Sequence, residues 1–381
     1  MADADPPVEA HLGDGVASFA PAEWDALAGG GNPFLAHAFL AALEDSGSAT
    51  ARTGWQPLPI GISGGDGRLA GALPAYVKSH SQGEYVFDHG WADAFHRAGG
   101  DYYPKLQIAV PFTPVTGPRL LAADEQSKRH LIAAAQAVVD QNGLSSAHAT
   151  FIAADEVALF RAAGWLIRMD TQFHWINEAF GSFEDFLATL ASRKRKAIRK
   201  EREGALQGLT VRHLTGADIT EAHWDAFWMF YQDTGSRKWG RPYLTRRFFS
   251  LLGERMGDKV LLVLAERDGT PVAGALNLMG SDALYGRYWG ALEEAPFLHF
   301  ELCYYQAIDW AIAHGIGRVE AGAQGGHKLA RGYRPVPTWS AHYLADPHLE
   351  AAVARYLAAE REAVMQDMTQ LDALTPFRKG G

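Results

Sequence analysis

"KVLLVLAERDGTPVAGALNLMG", residues 259–280, reads as two apolar strands folded back on one another at Asp268-Gly269. Asp-Gly between alternating or continuous apolar runs is a strong short-range hairpin signal, because both turn residues tolerate positive φ. On the C-terminal side follow a third, aromatic strand "ALYGRYWG" (283–290), a helix "HFELCYYQAIDWAIAHG" (299–315) and the segment "RVEAGAQG" (318–325). Strand, strand, strand, helix, strand is the order of a mixed α/β or α+β unit.

Upstream the same opening recurs. "LAGALPAYVKS" (69–79) shares Ala-Gly-Ala-Leu with "VAGALNLMGS" (272–281), and it follows "PLPIGIS" (57–63) across the turn "GGDG". Downstream, "EYVFDHGW" (84–91) and "DYYPKL" (101–106) mirror "LYGRYWG" (284–290) and "CYYQAI" (303–308). The shared order predicts a duplicated fold with a boundary near residue 175, hence domains over 1–175 and 176–381. A chain of 381 residues also exceeds one comfortable core. Further helices are expected over 130–143, ending at Gly143, over 182–190, opened by Ser182 and Asp185 as a capping box, and in the tail from about 347.

Composition narrows the function classes. The formal charge of -9 argues against a surface that binds nucleic acid everywhere. Against that background "SRKRKAIRKER" (192–202) places seven cations in about three helical turns. Arg195, Arg199 and Arg202 would form one ridge with Lys196 and Lys200 beside it, either a solvated face or a dock for an anion. No run approaches the roughly 18 apolar residues of a membrane span, and "MADADPPVEAHLGD" lacks the basic start and apolar middle of a secretory signal. Cys303 is the single cysteine, which excludes a disulfide framework and places the chain in the cytoplasm. The histidines lack zinc spacing, and no phosphate loop, dinucleotide fingerprint or nucleophile elbow occurs, so no metal is expected.

In the helix 299–315, Phe300, Cys303, Tyr304, Ala307 and Ala311 make one apolar stripe, which assigns Cys303 to the core. Glu301, Tyr305 and Asp309 share the opposite face. His299 beside Glu301 reads equally as a proton relay or as a first-turn arrangement without chemistry.

The segment "YYQAIDWAIAHGIGRVEAGAQGGHKLARGYRPVPTWSAHYL" (304–344), the basic helix followed by "TVRHL", and the stretches "NPFLAHAFLAALEDSGSA" (32–49), "KSHSQGEYVFDHGWADAF" (78–95) and "AVPFTPVTGPRLL" (109–121) resemble the FemAB-like branch of the GNAT acyltransferase superfamily, associated with peptidoglycan biosynthesis/recognition. The shared element is a helix, Gly315, Arg318, the short strand Val319-Glu320-Ala321-Gly322, then Arg331-Gly332-Tyr333. This resemblance implies an α/β (α+β) fold of two tandem GNAT-like domains, each a mixed, mostly antiparallel sheet flanked by helices, with a cleft between them. It implies an N-acyltransferase or aminoacyltransferase. The donor, aminoacyl-tRNA or acyl-CoA, would be a co-substrate, and no cofactor would be tightly bound. The acceptor would be an amine on a peptide, a peptidoglycan precursor or a small molecule, and charged tRNA is a further partner. The protein is expected as a monomer or homodimer.

The acetyl-CoA pyrophosphate loop of simple GNAT enzymes is missing, as in Fem enzymes, so plain acetyl transfer does not fit. By resemblance the catalytic set comprises Lys328 as the counter-charge, Arg331 as its alternative, His327, and His299 with Glu301. The substrate-binding set comprises Arg193, Arg195, Lys196 and Arg199, then Asp88, Trp91 and Asp93, and Tyr285, Arg287 and Trp289. Strand alternation would let at most half of the aromatic strand face the cleft. A long-chain acyl-CoA or acyl-carrier donor is the alternative chemistry, and a non-catalytic recognition module the alternative class.

Overall fold

The computed structural model describes residues 9–238, 242–293, 295–322 and 325–378. The chain divides into two compact units, the first running up to Asp170 and including Thr338–Ala363, the second comprising Thr171–Pro337 and the residues from Val364 on.

The first unit contains β1 (Ala10–Leu12), α1 (Pro21–Ala28), α2 (His37–Asp45), β2 (Trp55–Pro57), β3 (Ile60–Ser63), β4 (Leu69–Leu73), β5 (Ala75–Lys78), α3 (His89–Arg97), β6 (Lys105–Ile108), β7 (Leu121–Ala122), α4 (Glu125–Asn142), β8 (Ser146–Ile152) and α5 (Val157–Ala162). The expected hairpin is β3–β4, with Ile60 opposite Leu73. Gly143 ends α4 in the left-handed conformation. The α4 residues Leu131, Ile132 and Ala135 pack on Ile60, Ile62 and Leu73.

The second unit opens on β9 (Leu166–Ile176), whose first residues belong to the first unit, followed by α6 (Phe183–Thr189), α7 (Ser192–Ala205), β10 (Thr210–Leu214), α8 (Glu221–Lys238), α9 (Arg246–Met256), β11 (Val260–Arg267), β12 (Thr270–Met279) and β13 (Ala283–Ala291). Next come α10 (Leu298–Phe300), a π-helical turn (Glu301–Tyr305), α11 (Gln306–Ala313), β14 (Arg318–Glu320), β15 (Arg334–Leu344) and α12 (Pro347–Ala373). Its sheet runs β10-β11-β12-β13-β14-β9. Asp268 and Gly269 both take positive φ, 50° and 77°, as the β11–β12 hairpin requires. Ser182 caps α6, accepting from the Asp185 amide at 3.1 Å.

Two expectations need correction. The sequence matches drawn past the hairpins do not correspond element for element. Residues 84–88 form no strand, and His89 starts α3. In a strand, Glu84 and Asp88 would lie roughly 13 Å apart. Instead the segment curls so that both carboxylates reach one ammonium, that of Lys105, at 2.8 and 2.5 Å. Likewise Tyr102-Tyr103 precede β6, whereas Tyr304-Tyr305 sit in the π turn. Nor is the division a single crossing near 175. β15 pairs with β8 from Trp339 to Leu344, and α12 buries Leu349, Val353 and Leu357 against Trp91, Ala92 and Tyr102. Those contacts give residues 338–363 to the first unit.

Candidate functional site

In the second unit β13 and β14 run parallel, but they pair only over Ala283–Tyr285 and Arg318–Glu320. β13 continues to Ala291, whereas β14 stops at Glu320, and Gly322 turns the chain with φ 78°. Two parallel strands whose C-terminal ends part leave a crevice there, with the crossover helix bordering it. The crevice is a hollow of about 400 Å³ lined by Ala275, Leu276 and Asn277 of β12, Gly286 to Trp289 of β13, His299, Cys303 and Tyr304 of the crossover, and Ala321.

Two local irregularities build it. Leu276 faces Tyr288 and Asn277 faces Gly286, so Arg287 is an extra residue, a β-bulge. The bulge breaks alternation, and Arg287, Tyr288 and Trp289 all border the hollow, more than the half that a regular strand allows. Tyr285 stays in the core. The second irregularity is the π turn. Cys303, half-buried there, packs against the core with the rest of the apolar stripe and also borders the hollow.

Lys328 lies in the 3-10 turn Gly326–Arg331, outside the residues that line this hollow. Its Nζ donates to the Gly322 carbonyl at 3.0 Å and lies 5.8 Å from the Phe173 ring. Burial pushes its pKa down to about 8; Cys303 opposes that fall and Arg287 adds to it. Lys328 thus bears on two residues that line the hollow, while no carboxylate among the described residues compensates it. Ala323 and Gln324, in the glycine-rich run before it, lie outside the described residues.

The other sequence candidates separate. His299 lines the hollow between Trp289 and Tyr304, with ring centroids 5.2 and 5.4 Å away. Glu301 does not join it. Two residues on, it points to the far side of the helix, where Arg202 holds it at 3.0 Å and Gln306 at 2.6 Å. Burial raises its pKa, and Arg202 opposes the rise. The His299–Glu301 relay is therefore absent. His327 is exposed, and its Nε2 meets the Tyr304 hydroxyl at 3.0 Å. Arg331 binds Glu201 at 2.8 Å and stacks 3.4 Å over Phe300, so it pins the 3-10 turn to α7.

The proposed arginine ridge is partly committed to the chain's own carboxylates, at Arg202 inside and at Arg199 on the surface. Arg202 pairs with Glu301 and Asp309, Arg199 with Glu184, and Arg195 is half-buried. Arg193 and Lys196 are exposed. In the first unit Asp88 is buried and accepts from Lys105 and from the Tyr102 hydroxyl at 2.8 Å. Its amine-binding position is taken by the chain's own lysine. Trp91 packs edge-on against His342 at 4.9 Å, and Asp93 is exposed on α3.

Sequence reasoning passed over Asn277, Cys303, Tyr304 and Glu320. Asn277 carried a signal, a polar residue inside an otherwise apolar strand; its side chain donates to the Leu261 carbonyl at 3.3 Å. Glu320, buried at the end of β14, binds Arg318 at 3.0 Å and lies 3.6 Å from Arg287.

Among known proteins, solved structures share this fold at low identity. FemX matches with a TM-score of 0.56 at 12% identity, covering 88% of this chain and 98% of FemX. L-PGS from Bacillus licheniformis matches at 0.50 and 12%, covering 89% and 96%. The C-terminal domain of a putative lysylphosphatidylglycerol synthetase from Agrobacterium fabrum matches at 0.51 and 12%, covering 84% and 96%. No curated protein matches. A family model described as peptidoglycan biosynthesis/recognition matches residues 15–379, nearly the whole length, and the chain belongs to that FemAB-like family.

Proposed function

We propose that the hollow of the second unit is where an activated acyl or aminoacyl group is passed to an amine, the acceptor being a peptidoglycan precursor and the donor a charged tRNA. The observation that carries this reading is Lys328, a buried cation with no carboxylate partner among the described residues, whose charge acts on Cys303 and Arg287 of the hollow. Family membership supports the acceptor class.

The acceptor nitrogen attacks the donor carbonyl carbon, the C–O bond of the ester breaks after the tetrahedral stage, and the amide C–N bond remains. Of the three donors on an ammonium, one goes to Gly322, which leaves Lys328 able to meet the oxyanion. His299, on the wall of the hollow, takes the proton that the amine loses, and the departing hydroxyl gains one. Positioning supplies much of the acceleration because the ester is already activated. No step needs a covalent enzyme intermediate.

The test is transfer by the purified chain to a peptide-bearing peptidoglycan precursor, with aminoacyl-tRNA or acyl-CoA as donor, read as the mass of the acceptor. A gain of one aminoacyl group with charged tRNA is expected. An acceptor left unchanged by both donors, with the chain folded, would contradict the reading.

A further inference from the structure

The cations that the ridge does not use form a second pattern. Arg193, Lys196 and Lys200 are exposed and, with Gly204, recur at i, i+3, i+7 and i+11, which puts them on one face of α7. That face lies opposite Ile198 and Ala205, the residues that α7 buries. No described carboxylate forms an ion pair with these three. Of the acids around them, Glu184 holds Arg199, Glu201 turns inward to Arg331, Glu293 binds Arg267, and Glu203 alone flanks the stripe.

Apolar side chains stand exposed at the end of the stripe. The Phe297 ring lies over Gly204, 3.7 Å from where a Cβ would sit, yet remains 42% exposed. It is held outward by a left-handed backbone, φ 64°, costly for an aromatic residue. Leu292 is 54% exposed, and its neighbour Glu293 is tied through Arg267 to the Gly208 carbonyl, just past α7.

We infer that this face of α7, with Phe297 and Leu292, docks the protein on an anionic phospholipid surface. Cations on the polar side of a helix with protruding apolar residues beside them are the pattern of an interfacial anchor. Each such cation strengthens binding to an anionic leaflet about fivefold, so three give on the order of 100-fold. Phosphate on RNA would attract the same cations, but an exposed leucine adds nothing to a nucleic-acid backbone and adds insertion at a lipid interface. The inference does not depend on what the hollow transfers. It would hold the chain where lipid-carried acceptors are found.

Co-sedimentation of the full chain with vesicles tests it. Vesicles of phosphatidylcholine containing phosphatidylglycerol should bind at low salt, and pure phosphatidylcholine should not. Lys196→Glu with Lys200→Glu should lower binding by at least about 25-fold, given the fivefold per cation, with the thermal midpoint retained. Phe297→Asn keeps the left-handed backbone while removing the ring, and should reduce the binding that survives raised salt. Equal binding to both vesicle types, no binding to either, or a Lys196→Glu, Lys200→Glu chain that loses tRNA binding while keeping vesicle binding would each overturn the inference.

Discussion

Among the described residues three lysines are buried, Lys78 and Lys105 in the first unit and Lys328 in the second, and the last two have opposite surroundings. Lys105 of the first unit is held by Glu84 and Asp88 at 2.8 and 2.5 Å and by the Ser81 hydroxyl at 2.9 Å. Burial alone would lower its pKa, but the two carboxylates outweigh burial and raise it. Lys328 of the second unit has a backbone carbonyl and, among the described residues, no carboxylate, and burial wins. A fully compensated buried charge fixes structure, whereas an under-compensated one is available to a ligand whose charge is changing. The acceptor role expected of Asp88 fails on the same ground: its ionic demand is already met inside the fold.

Substitutions with the same shape should separate the two lysines. Lys105→Met leaves Asp88 without its ion pair and Glu84 with only Lys78 at 3.8 Å, and should lower unfolding free energy by about 3–5 kcal/mol, measured by urea denaturation. Lys328→Met removes a cation with no acidic partner, so stability should hold or rise. Transfer should nevertheless fall about 100- to 1000-fold, the effect of removing an oxyanion partner, read as kcat/KM. Equal destabilisation by both changes would erase the distinction.

Acid should sharpen the contrast in the first unit. His148 and His342 share a 2.7 Å contact between their Nδ1 atoms inside the polar cluster. Burial first, and Lys105 second, push the His148 pKa down from 6.5 to about 3. Below pH 6.5 the unfolded chain binds a proton that the folded chain refuses, so this stability is present above 6.5 and lost as pH falls toward 3. The loss should reach about 3 kcal/mol by pH 4. His148→Gln should flatten that dependence, and a profile identical to the parent's would remove His148 as its cause. The smallest effect is expected at Arg199→Ala, which breaks an exposed pair with Glu184 and should leave the denaturation midpoint unmoved.

Much of the second unit was legible because its signals are local. Asp268-Gly269 fixes its hairpin with two positive φ values, and Ser182 caps α6 on its own third residue. The mixed α/β class followed from the order of such elements, and the GNAT-like architecture from the family resemblance. What escaped depended on irregularity or on distance. The crossover helix contains a π turn, and a stripe counted at regular spacing gave Cys303 its core contact but not its second exposure to the hollow. Arg202 and Glu301 meet across 99 positions of sequence, which no spacing rule reports, and that pair separates Glu301 from His299. Ala-Gly-Ala-Leu recurs truly as hairpin strands, but the following segments answer to different partners, Lys105 in the first unit and the sheet in the second.

The central claim is that Lys328 is poised by burial without a counter-ion. The direct measurement is the titration of its own amine, by NMR of isotopically labelled lysine with Lys328→Met used to assign the signal. A midpoint near 8 that moves when a donor analogue fills the hollow is the predicted result. A midpoint at the ordinary lysine value of about 10.4, indifferent to the analogue, would contradict it.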